Sequence, residues 1–401
     1  MFDTDRTTPV TELTARIAKF QTRLDKEGID GAFIIQNSDL FYFAGTIQQG
    51  VLYIPASGKV LFMVRKNVER ALAESKTEHM VFLQSSRDIP ELLKDFGHGT
   101  PSAIGMELDV LPANQLFGFQ KLFGSSRITD ISTMIRMIRS IKSPYELSLL
   151  RKAAACADIV SGCVPQLVAA GMTEIELAGK IEAAARKLGH QGIIRMRLWG
   201  SELFYGHLMT GPAAAVPSYL ASPTGGRALS PAVGQGPSHK KIKPHEPILV
   251  DYVFALDGYL ADHARIFSIG RLDSGLRDAH ERMLDLQAEI MGAARPGVSC
   301  ETLYNLAVTR TREFGYEDYF MGADAQRIKF IGHGIGLELD EFPFLAMGQQ
   351  LELAEGMVLA LEPKLIFPGK GVVGIENTHV VTGAGLERLT KHPDTVNLCS
   401  S

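Results

Sequence analysis

Apolar residues recur at helical spacing at Leu13, Ile17, Phe20 and Leu24, and the next apolar stretch, Gly31-Ala-Phe-Ile-Ile35, is short and continuous. That pattern predicts a helix delivering a buried strand. Val51-Leu-Tyr-Ile54 and Lys59-Val-Leu-Phe-Met63 read as two more strands across Pro55-Ala-Ser-Gly58, whose proline and glycine suit a hairpin. Helical patterns at Val68 to Ala73 and Ile89 to Phe96 follow, then a strand at Ala103-Ile-Gly-Met-Glu107. Helices and strands that alternate in this way predict a small α/β domain, assigned to residues 1–140.

A second domain, 141–401, opens at Ile141-Lys-Ser-Pro-Tyr-Glu-Leu-Ser148. Ser143 can cap a helix, Pro144 fits its first turn, and Glu146, three residues after the cap, completes a capping box. Leu147, Leu150, Ala154 and Ile159 carry the apolar stripe onward, and Thr173 to Leu188 and Leu276 to Ala294 read as two further long helices. Pro247-Ile-Leu-Val-Asp-Tyr-Val-Phe254 leads several strand candidates. Trp199, the single tryptophan, reads as packing at a strand end. Gly211 to Pro244 is the least regular stretch, dense in Gly, Pro and Ser, with His239 and the basic cluster Lys240, Lys241 and Lys243. A loop of that length in a compact domain is expected to rim a site.

Composition narrows the function classes. The chain has 401 residues, 45% hydrophobic and 21% charged, which suits a soluble globular protein with two or more cores and excludes a disordered or disulfide-stapled one. Its formal charge of −4 leaves nucleic acid and anionic membrane as poor partners. Cys156, Cys163, Cys300 and Cys399 show no CxxC spacing and are expected to be free thiols in a reducing cytoplasm. The opening MFDTDRTTP lacks the basic start and apolar stretch of a signal peptide, and no run of 18 apolar residues occurs, so neither secretion nor membrane spanning is expected.

Five ionisable residues sit in or beside apolar strand-like runs, where an unpartnered charge costs several kcal/mol. Asp251 interrupts Ile-Leu-Val-Asp-Tyr-Val-Phe, and Asp262 lies eleven residues later, beyond the turn-like Leu256-Asp-Gly258. Glu362 follows Met357-Val-Leu-Ala-Leu361, Glu376 follows Gly371-Val-Val-Gly-Ile375, and His333 lies in Phe330-Ile-Gly-His-Gly-Ile-Gly336. Taken singly, an aspartate in a strand is usually bonded to a turn, and a histidine among glycines is usually structural. Four carboxylates brought together, however, repel one another and need positive charge among them. Carboxylates with one imidazole favour Mn²⁺, Co²⁺, Fe²⁺ or Zn²⁺, and two carboxylates can bridge a pair of ions about 3.5 Å apart.

The strings LVDYVFALDGYLADHARIF (249–267), FIGHGIGLELDEFP (330–343), LAEGMVLALEPKL (353–365) and GVVGIENTHVV (371–381) resemble the metallopeptidase family of methionine aminopeptidase, prolidase and aminopeptidase P. MIRMIRSIKSPYELSLLRKAAACAD (134–158) and GIDGAFIIQNSDLFYFAGT (28–46) resemble its creatinase and prolidase branch. The resemblance implies an amino-terminal α/β domain followed by a pita-bread domain with a curved antiparallel sheet. It implies two divalent ions, Asp251 on the first, Asp262 and Glu376 bridging both, and His333 with Glu362 completing the second. It further implies a metal-held hydroxide attacking a scissile carbonyl, Glu362 as proton shuttle, a small peptide or peptide-like substrate, and a homodimer.

The match departs at the groups that would grip a substrate. Ala232 to Gly236 holds no histidine where the family usually has one, and Asp340 stands where a histidine usually precedes the Glu of a His-Glu-x-Pro string. Ala264 replaces a usual Thr, and Gly374 stands where proline-specific members often carry Arg. His207, His239 and His263 are candidate replacements, and Asp340 and the Phe342/Phe344 pair are candidate substrate contacts. The expected function is therefore an Xaa-Pro peptidase-like metal-dependent hydrolase. The alternatives are a divergent hydrolase or lyase acting on a small non-peptide substrate, or a non-catalytic binding protein.

Overall fold

A computed structural model describes residues 6–400 apart from 204, 324 and 326; residues 1–5, on which the reading of the amino terminus partly rests, lie outside it. The chain divides into two units, Met1–Arg139 and Ser140–Ser401.

The first unit carries the expected alternation. Its strands are β1 (Gly31–Ile34), β2 (Gly50–Pro55), β3 (Leu61–Val64), β4 (Met80–Phe82), β5 (Ala103–Met106) and β6 (Arg127–Asp130). They form one sheet in the order β4-β3-β2-β1-β5-β6. β1, β2 and β3 pair antiparallel, as the hairpin pattern predicts, and the flanking pairs are parallel. The helices are α1 (Val10–Lys26), α2 (Asn37–Ala44), α3 (Val68–Glu74), α4 (Ile89–Asp95), α5 (Ala113–Leu122) and α6 (Ser132–Ser140). Phe33, Tyr53, Met63, Ile104 and Phe119 make its core.

The second unit begins with α7 (Pro144–Leu167), where Ser143 and Glu146 form the capping box read from sequence and Pro144 sits in the first turn. α8 (Glu174–Lys187) follows, then β7 (Gly206–Thr210), β8 (Ile248–Leu256), β9 (Tyr259–Ile269), α9 (Ser274–Ala293), α10 (Cys300–Glu313), β10 (Phe330–Gly334) and β11 (Glu341–Ala346). The remaining strands are β12 (Val358–Leu361), β13 (Lys364–Phe367), β14 (Gly371–Gly374), β15 (Asn377–Thr382), β16 (Gly385–Arg388) and β17 (Asn397–Cys399). They build a four-stranded sheet β17-β9-β8-β7, a five-stranded sheet β11-β10-β12-β15-β16, and the β13-β14 hairpin.

α7 packs on β8 and β9, α9 on β13, β14 and β16, and α10 on β11, so each sheet has a helical layer. The two sheets are sewn together in the middle. Ala264 and Glu376 form an antiparallel bridge, and Thr378 Oγ1 accepts from Asp262 N–H at 2.9 Å and donates to Asp262 O at 2.7 Å. Trp199 is exposed rather than packed. Among the described residues no helix is long and apolar enough to cross a membrane.

The irregular stretch between β7 and β8 is held from beneath. Glu174, fully buried at the start of α8, accepts from Thr210 N–H and Oγ1 (2.8 and 2.9 Å) and from Ser238 N–H and Oγ (3.0 and 2.6 Å). Backbone bonds from Glu174 to Lys240 and from Ile175 to Ser238 extend the seam. Glu174→Ala is expected to cost about 3 kcal/mol of unfolding free energy, because four donors lose a charged acceptor. A urea-unfolding difference under about 1 kcal/mol would show that other contacts hold this segment.

Candidate metal centre

The turn Asp257-Gly258 sets the first pair of carboxylates. Both residues have positive φ, 49° and 90°, the backbone a two-residue hairpin between right-twisted strands requires. Leu256 then pairs with Tyr259, which puts Asp251 opposite Ala264 and Asp262 opposite Val253. Since side chains alternate along a strand, Asp251 and Asp262 emerge on one face as diagonal neighbours.

The second sheet supplies the rest. His333 in β10 lies between Ala360 of β12 and Phe344 of β11. A Cβ at Gly332 would strike Ala360 O and one at Gly334 would strike Phe342 O, so the glycines beside His333 are what let the three strands close up. Glu362 leaves the end of β12 with its N–H on Ile331 O at 2.9 Å, and Glu376 stands between β14 and β15.

All five residues read from sequence converge. His333 Nε2 is 3.9 Å from Asp262 Oδ2 and 4.0 Å from Glu362 Oε1 and from Glu376 Oε1. The donor atoms of Asp262, His333 and Glu376 lie within 4.8 Å of one another, and Asp262 Oδ1, buried, has no hydrogen-bond partner. Donors at these separations can share one cation at metal-ligand distances of about 2.0–2.2 Å. One divalent ion therefore fits.

Beside this position lies a group the sequence reading passed over. Lys364 Nζ donates to Asp251 Oδ2 at 2.8 Å, Glu362 Oε2 at 2.8 Å and Glu376 Oε2 at 2.7 Å, and its side chain is 2% exposed. The expectation of two ions does not fit these side chains as they stand, because the oxygens due to hold one of them are gathered on an ammonium. A lysine two residues after Glu362, in an otherwise apolar strand, was the available signal. Arg265, Gln287 and Asn377 were also passed over. Arg265 donates to Glu376 O at 2.8 Å and Asn377 Oδ1 at 2.8 Å, while Gln287 donates to Leu361 O at 3.1 Å and accepts from Asn377 at 2.8 Å. Together they fix the backbone on either side of Glu362 and Glu376.

Burial is the main cause that raises Asp262 well above the usual carboxylate range, with Glu376 and Asp251 adding to it. Burial also lifts Glu376, to about 8; Lys364 pulls it down, and Glu362 and Asp251 push it back up. For His333, burial acts downward but Asp340, Glu362 and Glu376 outweigh it, so it is raised. Burial likewise opposes the charge on Lys364, and Asp251, Glu362 and Glu376 overcome it.

These groups floor a cavity of about 320 Å³. Met196, Leu198, Leu203, Phe330 and Phe344 give it apolar walls, and Leu220, Ala221, Ser222 and Gln235 bring the 211–244 segment to its rim, as expected. His207, opposite Asp251 in the β7-β8 register, lines it too; burial lowers its pKa, and its Nδ1 has no partner. Asp340 lines it in a left-handed backbone conformation (φ 64°), Oδ1 3.6 Å from His333 Nδ1. Phe342 is not among the lining residues and makes edge contact with Phe344. His239 is exposed and does not line the cavity, and His263, buried, bonds Ser161 instead.

Residues 148–383 match the model of metallopeptidase family M24, and residues 16–141 match that of the creatinase/prolidase N-terminal domain. An Xaa-Pro dipeptidase of Pyrococcus furiosus is 28% identical over 380 residues, covering 94% of this chain and 97% of the relative. The solved prolidase from Pyrococcus furiosus superposes with a TM-score of 0.75 at 26% identity, covering 92% of this chain and 99% of that one. The Xaa-Pro dipeptidase from Bacillus anthracis, at 24% identity, has the same fold with a TM-score of 0.82 over 96% of this chain and 99% of its own.

Asp262, His333 and Glu376 all hold protons more firmly in the fold than their ordinary values allow. At Glu376 the folded chain therefore binds more protons than the unfolded one from about 4.5 up to about 8, its ordinary and shifted values, whereas His379 and the other histidines that burial lowers bind fewer. In chelator, the contribution of Glu376 to stability is expected to fall as pH rises through that window. Glu376→Gln, which imitates the protonated form, should flatten the fall, and added divalent ion should reverse it, because ligands must deprotonate to bind metal. Thermal unfolding of the chelated wild type and Glu376→Gln at pH 5 and pH 8 checks this; the same pH dependence in both would refute it.

Proposed function

Because the chain belongs to metallopeptidase family M24, we propose that it is a metal-dependent hydrolase of the Xaa-Pro peptidase type acting on short peptides. The observation that carries this reading is the convergence of Asp251, Asp262, His333, Glu362 and Glu376 on the floor of one cavity, from strands and strand ends of both sheets.

Asp262, His333, Glu376 and one oxygen of Glu362 would hold a divalent ion, which when bound supplies an activated water and polarises the scissile carbonyl. The protein's own groups do the remainder. Glu362, in the cavity wall next to the ion position, takes the proton from the attacking water and delivers it to the leaving amine. His207, which lines the cavity and which burial keeps neutral, offers a ring N–H to the developing oxyanion, the task left open by the missing family histidines. Asp340 and the acidic floor favour a substrate with a free amino terminus, and the apolar wall around Leu198, Leu203 and Phe344 accepts its side chain.

Manganese as a physiological ion, a homodimer and a cytoplasmic location belong to this proposal as well; Cys156, Cys163, Cys300 and Cys399 are all free thiols, as a reducing compartment requires.

Incubation with Xaa-Pro dipeptides and longer Xaa-Pro peptides, in Mn²⁺, Co²⁺ or Zn²⁺, is expected to release free amino acids by chromatography. No cleavage by protein carrying bound metal would end the peptidase reading. His207→Leu is expected to lower kcat/KM by about 10²–10³ with metal content unchanged; an unaltered kcat/KM would remove His207 from the transition state.

A further inference from the structure

We infer that Lys364 is a built-in cation of this centre, filling the position a second metal ion would need, so that the site takes one divalent ion per chain. The inference deepens the metal-dependent reading and rests on it only for the first ion. An ammonium has three N–H donors, and Lys364 places one on each of Asp251, Glu362 and Glu376 at 2.7–2.8 Å. Glu362 and Glu376 each turn their other oxygen towards His333. The two glutamates thus bridge two cation positions, one facing His333 and Asp262, the other already held by Nζ.

A metal ion bound by the same three oxygens would lie closer to Nζ than two cations can approach. Charge points the same way. With the four carboxylates ionised, Lys364 and one divalent ion offset all but one negative charge, whereas a second divalent ion beside the ammonium reverses the sign of the cluster. The backbone is shaped for this side chain. Lys364 O accepts from Met321 N–H at 3.0 Å, and Gly374 is its register partner. A Cβ at Gly374 would fall 2.6 Å from Lys364 Cα and 3.1 Å from its Cγ, so glycine there leaves the stem its path to the carboxylates.

The test is metal stoichiometry. The full chain is stripped with chelator, equilibrated with Mn²⁺ or Zn²⁺, and its metal-to-protein ratio measured by elemental analysis and calorimetric titration, beside Lys364→Ala and Lys364→Met. The wild type is expected to saturate at one ion, with the Mn²⁺ paramagnetic signal of an isolated ion. Lys364→Ala and Lys364→Met should bind a second ion and show a spin-coupled signal. Two ions in the wild type, none in the wild type, or one ion in folded Lys364 variants would each overturn the inference. If neither variant folds, the wild-type ratio decides. The peptide assay is separate: one bound ion without cleavage defeats the proposed function and leaves Lys364 in its place, and two bound ions with cleavage do the opposite.

Discussion

Four carboxylates within reach of one another, three of them buried, cannot all ionise without positive charge in their midst, and the second unit is organised around that requirement. In Asp251, Asp262, Glu362 and Glu376 the fold assembles such a group, and it answers in part with its own lysine. Lys364 touches three of the four, while Asp262 keeps an oxygen with no partner and faces His333. The cluster is consequently asymmetric, with one side neutralised by the chain and the other prepared for an ion.

The asymmetry depends on backbone arrangements some distance from the charges. The hairpin turn at Asp257-Gly258 sets the register that brings Asp251 and Asp262 to one face, and a slip of one residue between the two strands would put the two carboxylates on opposite faces. The Ala264–Glu376 bridge and the Thr378–Asp262 bonds tie the two sheets at the height of the carboxylates, and buried Arg265 reinforces the tie through Glu376 O. Glycines on either side of His333 allow its strand to lie between two others without side chains intervening. A site of this kind needs positions held to fractions of an ångström, and here strands hold Asp251, Asp262 and His333 while Glu362 and Glu376 sit at strand ends tied by backbone hydrogen bonds.

The wall opposite the carboxylates follows a different logic. It comes from the less regular 195–244 region and from β10 and β11, and it is largely apolar. His207 is the imidazole that reaches it from β7, whereas Asp340 turns the side near His333 acidic. The wall's polar groups are few, Ser201, His207, Ser222 and Gln235 among them, while the floor carries all five acidic and imidazole groups read from the sequence.

Much of this was legible along the chain, because burial marks it directly. The helix at Ser143–Glu146 is signalled by local hydrogen-bonding capacity, the first-unit strands by continuous apolar runs, and the five ionisable residues by the cost of burying them alone. Histidines were harder to place: His207 and His239 look alike in sequence, yet strand register buries one in the cavity and a solvent-facing turn exposes the other. Lys364 escaped notice because a lysine close to a glutamate at a strand end reads as a surface ion pair, and nothing local says that its ammonium reaches Asp251, 113 residues earlier in the chain. Sequence alone determined which groups require compensation, since that follows from each residue's own solvation; which cation compensates them was decided only by the tertiary structure, since that depends on distances between segments that never meet until the sheets close.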